Sequence, residues 1–175
     1  MVAGSWLLTK GPIMASGSER LDWAKCKDAF FDDDGSLRDI YVFDTGIDDW
    51  NKMLQLLKRK LYVVTFFLDG EVSTLPAEAE SIFALKSDYA CLLSVDLSGL
   101  LLNCHFFCLD QIEFDIAPSE VTEEAKFEGL ICFMNDLSNE LRKMVVLTPE
   151  NVAEVVLFRA VPGGEVVCCF ENYQT

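Results

Sequence analysis

Apolar and polar residues alternate strictly over residues 111–116, where Ile112, Phe114 and Ile116 are interleaved with Gln111, Glu113 and Asp115. A period of two predicts a half-buried strand with one core face and one acidic, solvent-facing face. Helical periods replace it elsewhere. Ile47, Trp50, Met53, Leu54 and Leu57 recur at helical spacing, with Asp48 or Thr45 as candidate caps and Lys58, Arg59 and Lys60 complementing the negative C-terminal end. Phe127, Leu130, Ile131, Met134, Leu137 and Leu141 form the apolar side of a longer helix over residues 122–143. Pro76 opens a short third helix with Ala79, Ile82 and Phe83 inward.

The remaining apolar runs read as strands. Residues 39–43 precede the first helix, and residues 61–68 follow it and end at Asp69-Gly70, a hairpin turn in which glycine accepts positive φ. Residues 91–97, 100–109 and 111–116 form a meander, linked at Ser98-Gly99 and Asp110. Residues 144–148, 154–160 and 165–170 complete the chain, the last two joined through Pro162-Gly163-Gly164. Hairpin connections outnumber crossover helices, so the expected class is α+β: a mostly antiparallel sheet with about three helices packed on one face.

Charge changes this picture more than composition does. The formal net charge is -15 on 175 residues, while 51% apolar residues supply a core. Asp28, Asp32, Asp33, Asp34, Asp39, Asp44, Asp48 and Asp49 share one stretch with Arg38 as its only base. Such a field repels nucleic acid and anionic membrane surfaces and attracts basic proteins. Residues 14–175 read as one globular domain, with Met14 as a natural start and residues 1–13 as an upstream extension. The seven cysteines sit mostly inside apolar runs, which favours reduced thiols in a cytoplasmic protein. No apolar run has the length of a signal-peptide core or membrane span.

Candidate chemistry is sparse. Asp32-Asp33-Asp34-Gly35 invites a calcium-loop reading, but aligning Gly35 with the turning glycine of such a loop puts Phe30 and Tyr41 at ligand positions. A solvated acidic turn is the preferred reading, ahead of a protein-binding loop. Cys104 and Cys108, read as part of one strand, share a face about 13 Å apart with His105 on the other, so one zinc is not expected to take all three. His105 is the chain's one histidine, the base a thiol- or histidine-dependent enzyme centred on Cys104 and His105 would have to use. Cys168-Cys169 point to opposite faces of a strand. Phosphate-loop, dinucleotide-binding and nucleophile-elbow motifs are missing. Neither a cofactor nor a metal is expected. Trp50 lies beside Asp48 and Asp49, but its helical register assigns it to the core rather than to an interface.

The segments Leu37-Arg38-Asp39-Ile40-Tyr41-Val42, Asp49-Trp50, Leu102-Asn103-Cys104-His105-Phe106-Phe107, Glu113-Phe114-Asp115 and Leu147-Thr148-Pro149-Glu150-Asn151 carry a resemblance. The chain resembles small acidic bacterial α+β proteins of uncharacterised function and is similar in style to immunity proteins of toxin–immunity systems. That resemblance implies a non-enzymatic binding module occupying a basic protein partner such as a toxin, and the negative charge argues against nucleic acid or membrane as partner. Asp32, Asp33, Asp34, Asp39, Asp48 and Asp49 are the candidate partner-binding residues. The alternatives are the enzyme centred on Cys104 and His105, and a soluble scaffold or stress protein.

Overall fold

A computed structural model describes residues 21–169. The start at Met14, the extension before it and Phe170 lie outside the described residues. Nine strands form one antiparallel sheet: β1 Arg38–Phe43, β2 Val63–Leu68, β3 Glu71–Ser73, β4 Cys91–Asp96, β5 Leu101–Cys104, β6 Gln111–Ile116, β7 Val145–Pro149, β8 Phe158–Ala160 and β9 Val167–Cys168. Their spatial order is β3-β2-β4-β5-β6-β1-β7-β8-β9, so β1 is inserted between the meander and the C-terminal strands.

Strand alternation sorts side chains onto two faces. One transverse row runs through Ser73, Phe66, Leu93, Cys104, Phe114, Ile40, Leu147, Phe158 and Cys168, crossing all nine strands. Its interior members, Phe66 to Phe158, are buried. Helices α1 Trp23–Phe30, α2 Ile47–Arg59, α3 Ala79–Leu85 and α4 Glu124–Leu141 supply the other half of this core. Phe30 and Phe31 meet Phe158, and Phe133 of α4 meets the ring of Phe114 edge-on. The α+β class and antiparallel sheet therefore stand, with four α-helices among the described residues rather than about three.

The additional helix is α1. Asp22 caps it by accepting from the Ala24 and Lys25 N–H groups, and Cys26 and Phe30, four residues apart, are its buried residues. At α2 neither Asp48 nor Thr45 is the cap. Gly46 occupies that position and donates its N–H to Asp49, while the Thr45 hydroxyl donates to the Leu109 carbonyl. The short helix starts at Ala79 rather than Pro76, and Asn51 of α2 accepts the Ala79 N–H. The Asp69-Gly70 hairpin forms as expected, both residues having positive φ between β2 and β3.

Three strands are shorter than the apolar runs imply. The run 100–109 supplies β5 only as far as Cys104, and the runs 154–160 and 165–170 supply only β8 and β9. At β5 the cause is local: Phe106 adopts φ +55°, which ends the ladder and turns its ring into the core against Trp50, Phe66 and Phe83. Trp50 is fully buried and donates its indole N–H to the Leu109 carbonyl, so it belongs to the core and holds the 105–110 segment. Every buried side-chain nitrogen and oxygen among the described residues has a hydrogen-bond partner.

Candidate functional site

The face of the sheet opposite the helices carries the chemistry. Directly behind the core row, Thr65, Ser94, Asn103, Asp115, Asp39 and Thr148 form a transverse polar row through β2, β4, β5, β6, β1 and β7. Tyr41 pairs with Glu113 in the next row, and Phe43 pairs with Gln111 beyond it. Alternation in two neighbouring strands thus places Asp39, Glu113 and Asp115 together on the sheet face opposite the described helices.

Each carboxylate has a different environment. Asp39 is 2% exposed and accepts the Tyr41 hydroxyl at 2.8 Å and the Asn151 N–H at 2.7 Å. Burial pushes its carboxyl above the ordinary range, aided by Asp115 and Glu150, although the bonds from Asn151 and Tyr41 oppose the shift. Burial also raises the Tyr41 hydroxyl, with Asp39 adding to the effect. Glu113 accepts the Gln111 amide at 2.8 Å and is likewise raised, first by burial and then by the charge of Asp39. Asp115 accepts the Asn103 amide at 3.2 Å and lies 2.9 Å from His105 Nε2.

His105 lies just beyond β5 rather than within a strand. Its ring stacks on Phe107, whose carbonyl accepts the Lys86 ammonium. Cys104, one residue earlier, belongs to the core row, and burial pushes its thiol up to about 12. His105 and Cys104 therefore face opposite sides of the sheet. Because the strand stops at Cys104, the extended spacing expected between Cys104 and Cys108 does not apply. No group of three or more His, Cys, Asp or Glu residues among the described residues is arranged to hold a metal ion.

The other acidic candidates separate into distinct roles. Asp32 and Asp33 are exposed. Asp34 is exposed but locally engaged: it accepts from the Ser36 N–H and hydroxyl and forms a 3.2 Å ion pair with Arg38. Those bonds, led by the two from Ser36, hold its carboxyl well below the ordinary range. Arg38 is nearly buried and also donates to the Phe30 carbonyl, so this turn joins α1 to β1. Asp48 is exposed on the first turn of α2, whereas Asp49 caps that helix and lies 3.7 Å from both Lys52 and Lys143. The structure therefore brings only Asp39 of the six aspartates into the carboxylate row.

Glu113 and Asp115 were not among those candidates, although the alternation of residues 111–116 already placed both on a solvent-facing surface. Their proximity to Asp39 depends on β1 pairing with β6, a contact more than sixty positions distant that no local pattern encodes. Exposed apolar residues Phe43, Phe107 and Leu109 occur on or near the same strands. A small cleft of about 60 Å³ lined by Ala29, Phe30, Asp34, Ser36, Arg38, Pro149 and Leu157 includes no residue of the carboxylate row, and its volume is far below that of a metabolite pocket. No helix among the described residues is long and apolar enough to cross a membrane. No protein-family model matches the chain, and comparisons with curated proteins and with solved structures find no match.

Proposed function

We propose that the protein is a non-enzymatic binding module that presents the acidic face of its sheet, opposite the described helices, to a basic protein partner, such as a toxin blocked by an immunity protein. The observation carrying this reading is the placement of the partly exposed Glu113 and Asp115 on one sheet face, backed by the buried Asp39 in the neighbouring strand. The acidic turn at Asp32 and Asp33 leads into the strand that holds Asp39. An anionic surface of this kind accelerates encounter with a cationic cleft and competes with the nucleic acid such a cleft binds. Phe43 and Phe107 add exposed aromatic area suited to guanidinium stacking.

The enzyme centred on Cys104 and His105 is less well supported, because the thiol is buried and protonated on the face away from the imidazole. The test starts with capture from the native host and identification of the bound protein, followed by association kinetics with that purified partner. Glu113→Gln with Asp115→Asn is expected to lower the association rate at least several-fold at low salt, with the difference shrinking as salt screens the charges. His105→Gln is expected to leave binding largely intact. A captured partner without a basic surface, or unchanged association in the double variant, would overturn the proposal.

A further inference from the structure

Strand β2 breaks the pattern that β6 keeps. On β6 the residues facing away from the described helices are Gln111, Glu113 and Asp115, the polar half of an alternation typical of a strand with one solvated side. β2 reads Val-Val-Thr-Phe-Phe-Leu and is apolar on both sides apart from Thr65. Val64, Phe66 and Leu68 belong to, or pack against, the core under the helices. Val63 and Phe67 fall on the other face. There Phe67 pairs with Val72 of β3 and Leu92 of β4, while Val63 pairs with Asp96, which stands opposite Leu101 of β5.

None of Val63, Phe67, Val72, Leu92 and Leu101 is part of the core to which all four described helices contribute their buried residues. Val63 is 65% and Val72 73% exposed, Leu101 is also exposed, and Phe67 and Leu92 are half-buried. A continuous apolar run is the pattern of a strand covered on both faces, and contiguous exposed apolar side chains on a folded domain mark an interaction surface.

Charge selects what covers it. Ser94, Asn103 and Asp115 occupy one rung across β4, β5 and β6, so Asp115 stands two strands from β4. At ~4.8 Å per strand that is roughly 10 Å, the width of one helix with its side chains. Asp96 lies inside the apolar half itself. A second copy would bring a chain of net charge -15 against its like, and an anionic lipid surface would be repelled in the same way.

From this division we propose that the face is a two-part docking surface for one basic amphipathic helix of the protein partner, an inference that rests on the binding reading given above. The helix lays its apolar stripe on Phe67 and Leu92, with Val63, Val72 and Leu101 around them, and turns its arginines or lysines toward Glu113 and Asp115. The two halves then do different work. The acids speed encounter, whereas the apolar contacts, indifferent to salt, set how long the complex lasts.

Stopped-flow fluorescence with the full chain and three labelled synthetic helical peptides of about 18 residues tests this. One peptide has leucines on one face and arginines on the other, the second has serine for every leucine, and the third has glutamate for every arginine. The leucine and arginine peptide is expected to bind roughly tenfold or more tightly than either of the others. Phe67→Thr with Leu92→Thr is expected to speed its dissociation roughly tenfold and leave association nearly unchanged, while Glu113→Gln with Asp115→Asn slows association at low salt. Val63→Thr with Leu101→Thr alters exposed positions only and is expected to speed dissociation several-fold, which keeps the test decisive if the first variant folds poorly. Equal binding by the serine or the glutamate peptide, no binding by the leucine and arginine peptide, or unchanged dissociation in both apolar variants would overturn this surface. So would a dimer of the parent that Phe67→Thr with Leu92→Thr dissociates, since the occupant would then be a second copy. None of these results touches the acidic-face reading, which fails instead on the captured partner's charge or on unchanged association in Glu113→Gln with Asp115→Asn.

Discussion

Asp39 and Asp115 stand directly opposite each other in the β1–β6 ladder, two acids at one rung of an antiparallel pair. Like charges in that position oppose folding unless their environments separate them. Here they do: Asp39 is bonded by Tyr41 and Asn151, and Asp115 by Asn103 and His105. The row is locally costly and is held by polar partners from β1, β5 and the turn after β7.

That arrangement makes Asp39 a test of hydrogen bonding against charge. Asp39→Ala removes the acceptor of a buried hydroxyl and a backbone N–H, and should cost roughly 1–3 kcal/mol. Asp39→Asn keeps an acceptor oxygen and removes the charge opposed to Asp115, so its stability should lie within about 1 kcal/mol of the parent at neutral pH. Urea unfolding of both variants measures this. Equal losses would show that the negative charge itself, rather than its acceptor role, holds the site.

The raised carboxyls also set a pH dependence. Asp39 and Glu113 take up protons in the folded chain at higher pH than in the unfolded chain, whose reference values are 3.8 and 4.5. In that window the folded state binds more protons, so stability falls as pH rises through it and increases on acidification from neutrality. As pH falls from neutrality toward the unfolded-chain reference values, chemical denaturation midpoints should rise in the parent and rise less in Asp39→Asn with Glu113→Gln. Asp32→Asn with Asp33→Asn removes equal charge from the exposed turn and serves as the control. The same slope in all three proteins would contradict the assignment to buried carboxyls.

The acidic turn divides by residue. Neutralising Asp32 and Asp33 should leave Tm nearly unchanged and slow association with a basic partner at low salt, because neither residue organises the fold. Asp34→Asn should lower Tm by a few degrees, since the turn loses the anion held by Ser36 and Arg38. Thermal melts of the two variants separate these roles. A larger loss in the Asp32→Asn, Asp33→Asn protein than in Asp34→Asn would reverse the division.

Most of the sheet was legible from periodicity, and β6 follows its alternation over its whole length. The α1 helix was not, because eight residues give too few turns for a period to emerge and the surrounding aspartates dominate the local pattern. The end of β5 was hidden for another reason. Nothing in His105-Phe106-Phe107 forbids a strand, and only burial of Phe106 against Trp50, Phe66 and Phe83 makes its left-handed conformation worth adopting. The acidic row was half legible. Local alternation marked Glu113 and Asp115, while their meeting with Asp39 is a property of strand order.

That strand order has a kinetic side. β1 joins β3-β2-β4-β5-β6 on one flank to β7-β8-β9 on the other, and it precedes both neighbours in sequence. During synthesis it must wait for β6 and then β7, contacts of long sequence separation whose closure is slow compared with hairpins. Until β1 docks, the sheet is two unjoined pieces and the two halves of the acidic row remain on separate strands. A partner that reads this row therefore recognises a chain whose central strand has already found its place, making the surface a late product of folding rather than a property of the early meander.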